Sequence, residues 1–189
     1  MGEPFQNKKN VFASIRELMN PETFGMGARH ISVSTSGLAK QILEFAEAFP
    51  QVNLALSLHT ARNEVRDVIM PKINKAYPLE KLSDALTDYI KKTNRKVFIE
   101  YILLDGETDT AIDAEALVKF LRDIKPSYLM HVNLIVYNPT DADHKQSTRN
   151  HARQFKDKLA QAGIQATIRN NLGRDIDGAC GQLAILNQS

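Results

Sequence analysis

The chain of 189 residues contains only one cysteine, Cys180, so no internal disulfide bond can form. A lone cysteine fits a reducing compartment, and the sequence predicts a cytoplasmic location. No apolar run approaches the roughly 20 residues that a membrane span requires. The opening residues, MGEPFQNKKN, also lack the apolar core of a signal peptide. We therefore expect a soluble protein with neither a membrane anchor nor a disulfide framework.

Charge of one sign does not dominate, because 24 basic side chains accompany 22 acidic ones and the formal net charge is +2. This balance neither requires nor excludes nucleic acid as a partner, since the net charge of the whole chain does not reveal a local basic surface. Apolar residues make up 43% of the chain and charged residues 24%, which is typical of a globular protein. The length suits one domain with a hydrophobic core, or part of a larger domain.

Apolar periodicity predicts helices that alternate with strands. The predicted strands are His30–Thr35, Val52–Leu58, Val97–Leu104, His131–Tyr137 and Gln165–Arg169. The predicted helices are Asn10–Asn20, Leu38–Phe49, Arg62–Met70 (closed by Pro71), Leu79–Lys92, Asp113–Ile124 and Thr148–Ala162. The residues after Arg169 are expected to form a loop and a tail. Apolar strands separated by amphipathic helices indicate an α/β fold whose parallel sheet is covered by helices.

Several predicted strands end in polar residues that can bind a ligand or take part in catalysis. Ser34 ends the first strand, Ser57 and His59 end the second, and Asn138 follows the fourth. In parallel α/β folds, ligands bind at the carboxyl ends of the strands, so these side chains are expected to share one rim of the sheet. For any single residue the alternative is a helix-capping role, because Ser and Asn often stand where a strand turns into a helix.

The opening MGEP precedes the first helix without a strand of its own, although a parallel sheet calls for a strand there. We expect Gly2-Glu3-Pro4 to be the end of a strand that lies upstream, so that a barrel lacks its first strands. Such a partial barrel has two exposed sheet edges, which are prone to self-association.

The motifs GARHISVSTSG, VNLALSLH, HVNLIVYNP and DIDGACGQL, with MGEP, RDVIMP, NKAYPLE and EYILL, carry a resemblance to a known family. The chain resembles the radical-SAM methyltransferases that modify C2 or C8 of an adenine in 23S ribosomal RNA. The resemblance runs from residue 1 to about Leu183. It implies a partial parallel β/α barrel of the radical-SAM type, with residues 1–189 as the C-terminal part of the catalytic domain. It favours C2, with tRNA as a further candidate substrate.

The resemblance also implies roles for individual residues. The cofactor S-adenosylmethionine would be held by seven of them, namely Gly2, Glu3, Ser34, Ser57, Leu58, His59 and Asn138. Cys180 would accept the methyl group before its transfer to adenine. A covalent route through sulfur suits this target, because an amidine carbon of adenine is not nucleophilic. A 4Fe–4S cluster would supply the one-electron step.

The sequence departs from the family in lacking the Cys-x3-Cys-x2-Cys loop that binds this cluster. We therefore expect no metal site on the chain, no activity from the chain alone, and a start placed downstream of the family's own.

Two alternatives stay open. One is a non-catalytic module of the same ancestry that binds RNA or a partner chain. The other is an unrelated β/α-barrel enzyme that uses Glu100, because an acid within the apolar strand FIEYILL is costly unless it is used or paired. The basic residues of the last helix are by default a solvated face, and in the family interpretation they contact RNA phosphates.

Overall fold

A computed structural model describes residues 2–138 and 144–169. Within them, one sheet of five parallel strands forms the centre of the fold, and the strands follow one another in chain order from β1 to β5. The strands are β1 Ser32–Thr35, β2 Asn53–Ser57, β3 Val97–Leu103, β4 Met130–Val136 and β5 Gln165–Ile168. This confirms the α/β fold predicted from the sequence, a partial parallel β/α barrel.

In the described ranges, seven α-helices connect the strands or precede them. They are α1 Lys8–Met19, α2 Ala39–Ala48, α3 Asn63–Ile69, α4 Pro71–Ala76, α5 Leu79–Thr93, α6 Ala111–Asp123 and α7 Arg149–Gln161. Short 3-10 helices lie at Pro4–Asn7, Ala28–His30 and Ser127–Leu129. Each crossover leads to the next strand in the same direction. Crossovers between neighbouring parallel strands are right-handed as a rule, and a constant hand in a sheet of this order places the connecting helices on one face.

The helix boundaries differ from the predicted ones where local side-chain chemistry decides them. Helix α4 was not predicted, because Pro71 was interpreted only as a stop; proline also suits the first position of a helix, and Pro71 begins α4. Helix α1 begins at Lys8, and the side chain of Asn10 donates to Asn7 instead of capping the helix. Helix α6 begins before Asp113, because Thr110 and Asp113 form a capping box.

The hydrophobic core lies between the sheet and its helices. Along β3 the side chains alternate between fully buried residues, such as Ile99 and Tyr101, and half-buried ones, such as Glu100. The same alternation along β4 buries Val132 and leaves Asn133 half-buried on the opposite face. Helices thus cover one face of the sheet, and the other is a half-open face, which corresponds to the inner face of the partial barrel.

None of the described helices is both long enough and apolar enough to cross a bilayer.

Gly37, in the loop after β1, offers a test of how tightly this loop packs. Its φ is +111°, and a Cβ atom there would lie 2.8 Å from Leu82 Cδ2 and 3.2 Å from Leu56 Cδ1. We expect Gly37→Ala to lower the free energy of unfolding by about 2–4 kcal/mol, through backbone strain and overpacking. The measurement is urea denaturation followed by circular dichroism.

The matched control is Gly106→Ala, because Gly106 has a φ of +73° but no atom within 4 Å of the added Cβ. Strain alone gives an expected loss of about 1 kcal/mol there. Equal losses in the two variants would contradict the close contact of the Gly37 loop with α5.

Candidate functional site at the strand ends

The rim at the carboxyl ends of β1 and β2 brings two predicted site residues together. Ser34 and Ser57 lie on the half-open face of neighbouring strands, and their Oγ atoms are 3.3 Å apart. Either hydroxyl can donate to the other, and each keeps capacity for a further hydrogen bond. The pair is therefore available to a polar ligand that lies on the half-open face.

The N-terminal segment is tied to the same rim by the carboxylate of Glu3. Its Oε1 accepts hydrogen bonds from the Phe5 amide at 3.0 Å and the Thr35 hydroxyl at 2.8 Å. Its Oε2 accepts from the amide and the hydroxyl of Ser36, both at 2.7 Å. These four donors use the ordinary capacity of a carboxylate, so Glu3 holds the segment in place. Gly2, next to it, is exposed and has no atom within 4 Å of a Cβ position.

The segment Ser57-Leu58-His59 forms a tight turn. The amides of Leu58 and His59 both donate to the Glu100 carbonyl at 3.1 Å, and His59 has a left-handed φ of +62°. The predicted strand ran to Leu58, whereas β2 ends at Ser57 because this turn follows. The Leu58 side chain is fully buried, so Leu58 anchors the turn and leaves the neighbouring polar side chains at the rim.

His59 carries a polar atom without a partner. Its Nδ1 is withdrawn from solvent and has no hydrogen-bond partner among the described residues. Burial, followed by the positive charge of Arg66, lowers the pKa of His59 from its ordinary 6.5 to about 4. The imidazole is therefore neutral at pH 7, with one nitrogen able to donate and the other able to accept. A neutral ring does not repel a cationic ligand that binds at the rim.

Arg66 lies beneath this turn and was not singled out from the sequence. Its side chain is fully buried and donates to the carbonyls of Ser36, at 3.0 Å, and Leu58, at 3.4 Å. It also donates to Asn74 Oδ1 at 3.0 Å and to the Tyr77 carbonyl at 3.2 Å. Only the motif RDVIMP pointed to this region, and a linear motif does not show which carbonyls one arginine reaches.

Glu100 lies on the half-open face and is paired. The side-chain Nδ2 of Asn133 donates to its Oε1 at 2.8 Å, and Arg169 Nη1 lies 3.4 Å from its Oε2. Its side chain is 12% exposed. The acid in an apolar strand is therefore explained by strand alternation, which places it outside the hydrophobic core, and by these two partners.

Asn138 lies two residues after β4, at the same end of the sheet, and is buried with 6% of its surface exposed. The adjacent Tyr137 is fixed through its backbone, since its amide donates to the Leu103 carbonyl and its carbonyl accepts from Gln146. Cys180 and the rest of its motif lie outside the described residues, so its predicted role stays a prediction.

Beyond β3, a cluster of one histidine and two carboxylates joins α7 to the loop before α6. His151 Nδ1 lies 3.5 Å from Asp105 and 3.4 Å from Asp109, and the three groups offer ligand atoms within 4.8 Å of one another. Asp109 also accepts from the Gly106 amide at 2.8 Å and the Ser147 hydroxyl at 2.5 Å. These protein partners explain the cluster as a link from α7 and the loop before it to the loop before α6.

Comparison with known proteins finds relatives that are named as RNA methyltransferases. It is 46% identical over 185 residues to a probable dual-specificity RNA methyltransferase RlmN of Listeria welshimeri, covering 97% of this chain and 50% of the relative. The corresponding protein of Enterococcus faecalis is 47% identical over 186 residues, covering 97% of this chain and 51% of the relative. The chain thus spans about half the length of the curated relatives it matches. No protein-family model matches the chain.

Solved structures agree with this comparison. A radical SAM methyltransferase from Sphaerobacter thermophilus superposes with a TM-score of 0.90 at 42% identity, covering 96% of this chain and 52% of that one. A domain of pyruvate-formate lyase-activating enzyme from Bacteroides vulgatus gives a TM-score of 0.69 at 17% identity, covering 90% of this chain and 96% of that one. The second similarity shows a shared fold alone.

The depressed pKa of His59 predicts a pH-dependent stability. In the unfolded chain His59 is protonated below its ordinary pKa of 6.5, whereas in the folded protein its pKa is about 4. Between these pH values the unfolded chain therefore binds one more proton than the folded protein. The contribution of His59 to stability is therefore complete above pH 6.5 and is lost as the pH falls toward 4, by up to about 1.4 kcal/mol per pH unit. We expect unfolding free energies at pH 7 and pH 5 to differ by about 1–2 kcal/mol more in the wild type than in His59→Asn.

Asparagine is the matched replacement because it tolerates the left-handed conformation of His59. Equal pH dependence in the two proteins, or a His59 imidazole that titrates near 6.5 by NMR, would contradict the proposed environment of the ring.

Proposed function

Since the chain belongs to the RlmN family of radical SAM RNA methyltransferases, we propose that it takes part in methylating an adenine carbon of RNA. Residues 1–189 then form the C-terminal part of a β/α-barrel catalytic domain, acting in the cytoplasm. The observation that carries this proposal is the rim itself, where the Ser34–Ser57 hydroxyl pair and the neutral His59 lie at adjacent strand ends.

The residues of the rim fit S-adenosylmethionine, which supplies the methyl group when bound. This cofactor carries a sulfonium and an ammonium, and a site made of hydroxyls, backbone groups and a neutral imidazole avoids repelling them. We assign the cofactor to Gly2, Ser34, Ser57, His59 and Asn138. We also assign Glu3 and Leu58 to the site. Their contacts support a structural role, in which Glu3 fixes the segment that carries Gly2 and Leu58 fixes the turn that carries His59.

The residues of this chain do not fit a 4Fe–4S cluster. The family's loop uses three cysteine thiolates, and the sequence contains one cysteine in all. We therefore assign no cluster ligand to it and route no step through a cluster. Cys180 remains our proposed methyl acceptor: its thiolate would take the methyl group from the sulfonium of S-adenosylmethionine, which forms S-methylcysteine as the proposed intermediate and releases S-adenosylhomocysteine.

The proposed RNA partner is 23S ribosomal RNA, with tRNA as a second substrate and C2 as the favoured carbon. Two exposed arginines of α7, Arg149 and Arg153, support contact with phosphates, because neither has a carboxylate partner in the described part of the chain. Phosphate contacts of this kind position an RNA without reading its sequence.

Cofactor binding tests the proposal on the chain as it stands. Isothermal titration with S-adenosylmethionine is expected to give saturable binding, and Ser57→Ala is expected to weaken it about 3- to 10-fold, because one hydrogen bond contributes about 0.5–1.5 kcal/mol. Ser34→Ala is expected to behave alike.

The matched control is Ser32→Ala, which lies on the same face of β1 but at the amino end of the sheet. Affinity in this variant is expected to equal that of the wild type. An absence of binding by the wild type, or an equal loss in all three variants, would overturn the assignment of the cofactor to the rim.

A further inference from the structure

One buried cation connects the loops of the rim. Arg66 is fully buried, and no carboxylate in residues 2–138 and 144–169 lies within ion-pair distance of it. Burial lowers its pKa to about 10, so the guanidinium stays charged at neutral pH. Burial of a charge without a counter-charge costs desolvation free energy, so packing alone does not explain the position of Arg66.

The four acceptors of Arg66 come from three parts of the chain. Ser36 follows β1, Leu58 follows β2, and Asn74 and Tyr77 belong to α4 and its end. A planar guanidinium presents its donors in a fixed fork, so one side chain sets the relative position of both rim loops. The ammonium group of a lysine cannot reproduce that fork.

The first two acceptors are neighbours of the proposed cofactor residues. The Ser36 amide and hydroxyl donate to Glu3, and Leu58 separates Ser57 from His59. Burial, and after it the positive charge of Arg66, lowers the pKa of His59. The carboxylate of Asp67 raises the pKa of Arg66 and so opposes the effect of burial, and Asn74 connects the two side chains, because its Nδ2 donates to Asp67 Oδ1 at 2.8 Å.

We propose that Arg66 is a positioning residue for the S-adenosylmethionine site: it fixes the Ser36 and Leu58 carbonyls and thereby the relative position of the two rim loops. This inference rests on the proposed function, and it gives Arg66 a role through its neighbours, without contact to the ligand. A purely structural role would instead affect stability and leave the folded site unchanged.

Two substitutions separate these roles. Arg66→Lys keeps the charge but loses the fork, and it is expected to weaken S-adenosylmethionine binding at least 10-fold while His59 stays neutral at pH 6. Arg66→Gln removes the charge, and the NMR titration of the His59 ring is expected to shift toward its ordinary value of 6.5. Affinities are measured by calorimetry at a temperature where circular dichroism shows each variant folded.

The control is Arg95→Gln. Arg95 is half-buried, lacks a carboxylate partner among the described residues, and donates to Asn53 Oδ1 at 2.6 Å at the opposite end of the strands. Both the affinity and the His59 titration are expected to match the wild type. If a variant of Arg66 does not fold, Asn74→Ala replaces it as the test, because it removes one acceptor and keeps the cation. The expected result is a 2- to 5-fold loss of affinity for S-adenosylmethionine.

Unchanged affinity and an unchanged His59 titration in the folded variants would overturn the role of Arg66. Failure of the wild type to bind S-adenosylmethionine would overturn the proposed function instead. The titration of His59 in Arg66→Gln still tests whether Arg66 acts on the environment of His59 in that case, because it needs no ligand.

Discussion

The hydrogen bonds from the Arg66 guanidinium are the interaction on which the rim depends. They join the loop after β1 to the loop after β2, and both loops carry residues assigned to the cofactor. Glu3 adds a second tie, because its carboxylate fastens the N-terminal segment to the end of β1. The rim is thus assembled from short loops that have little regular structure of their own, held by one buried cation and one anion. This explains how a site of hydroxyls and backbone groups can keep a defined shape.

The half-open face of the sheet follows from topology and strand alternation together. Crossovers of one hand put the helices on a single face, so the opposite face keeps only partial cover. Alternation then places apolar residues toward the helices and Ser34, Glu100 and Asn133 on the half-open face. The partners of Glu100, Asn133 and Arg169, explain why this acid lies in an apolar strand, so it no longer points to an unrelated barrel enzyme. The similarity of the chain to RNA methyltransferases also argues against that alternative.

Much of this architecture could be predicted from the sequence, because periodicity reports burial directly. The five strands and the six longer helices were expected at nearly their observed positions, and the gathering of Ser34 and Ser57 followed from the rule that parallel strands end at one edge. Helix α4 could not be predicted, because Pro71 both ends one helix and begins another. The left-handed turn at His59 and the four acceptors of Arg66 depend on contacts between distant segments. No local pattern encodes such contacts, and only the folded chain shows them.

The central claim is that S-adenosylmethionine binds at the carboxyl ends of the strands, on the half-open face. The most direct measurement is a two-dimensional NMR titration of the isotopically labelled chain with this cofactor. The account predicts large amide shifts for residues of the rim, at Ser34, Ser57 and His59, and none for Ser32 and Asn53 at the amino ends of the same strands. Shifts confined to the amino ends or to the helix-covered side would contradict it.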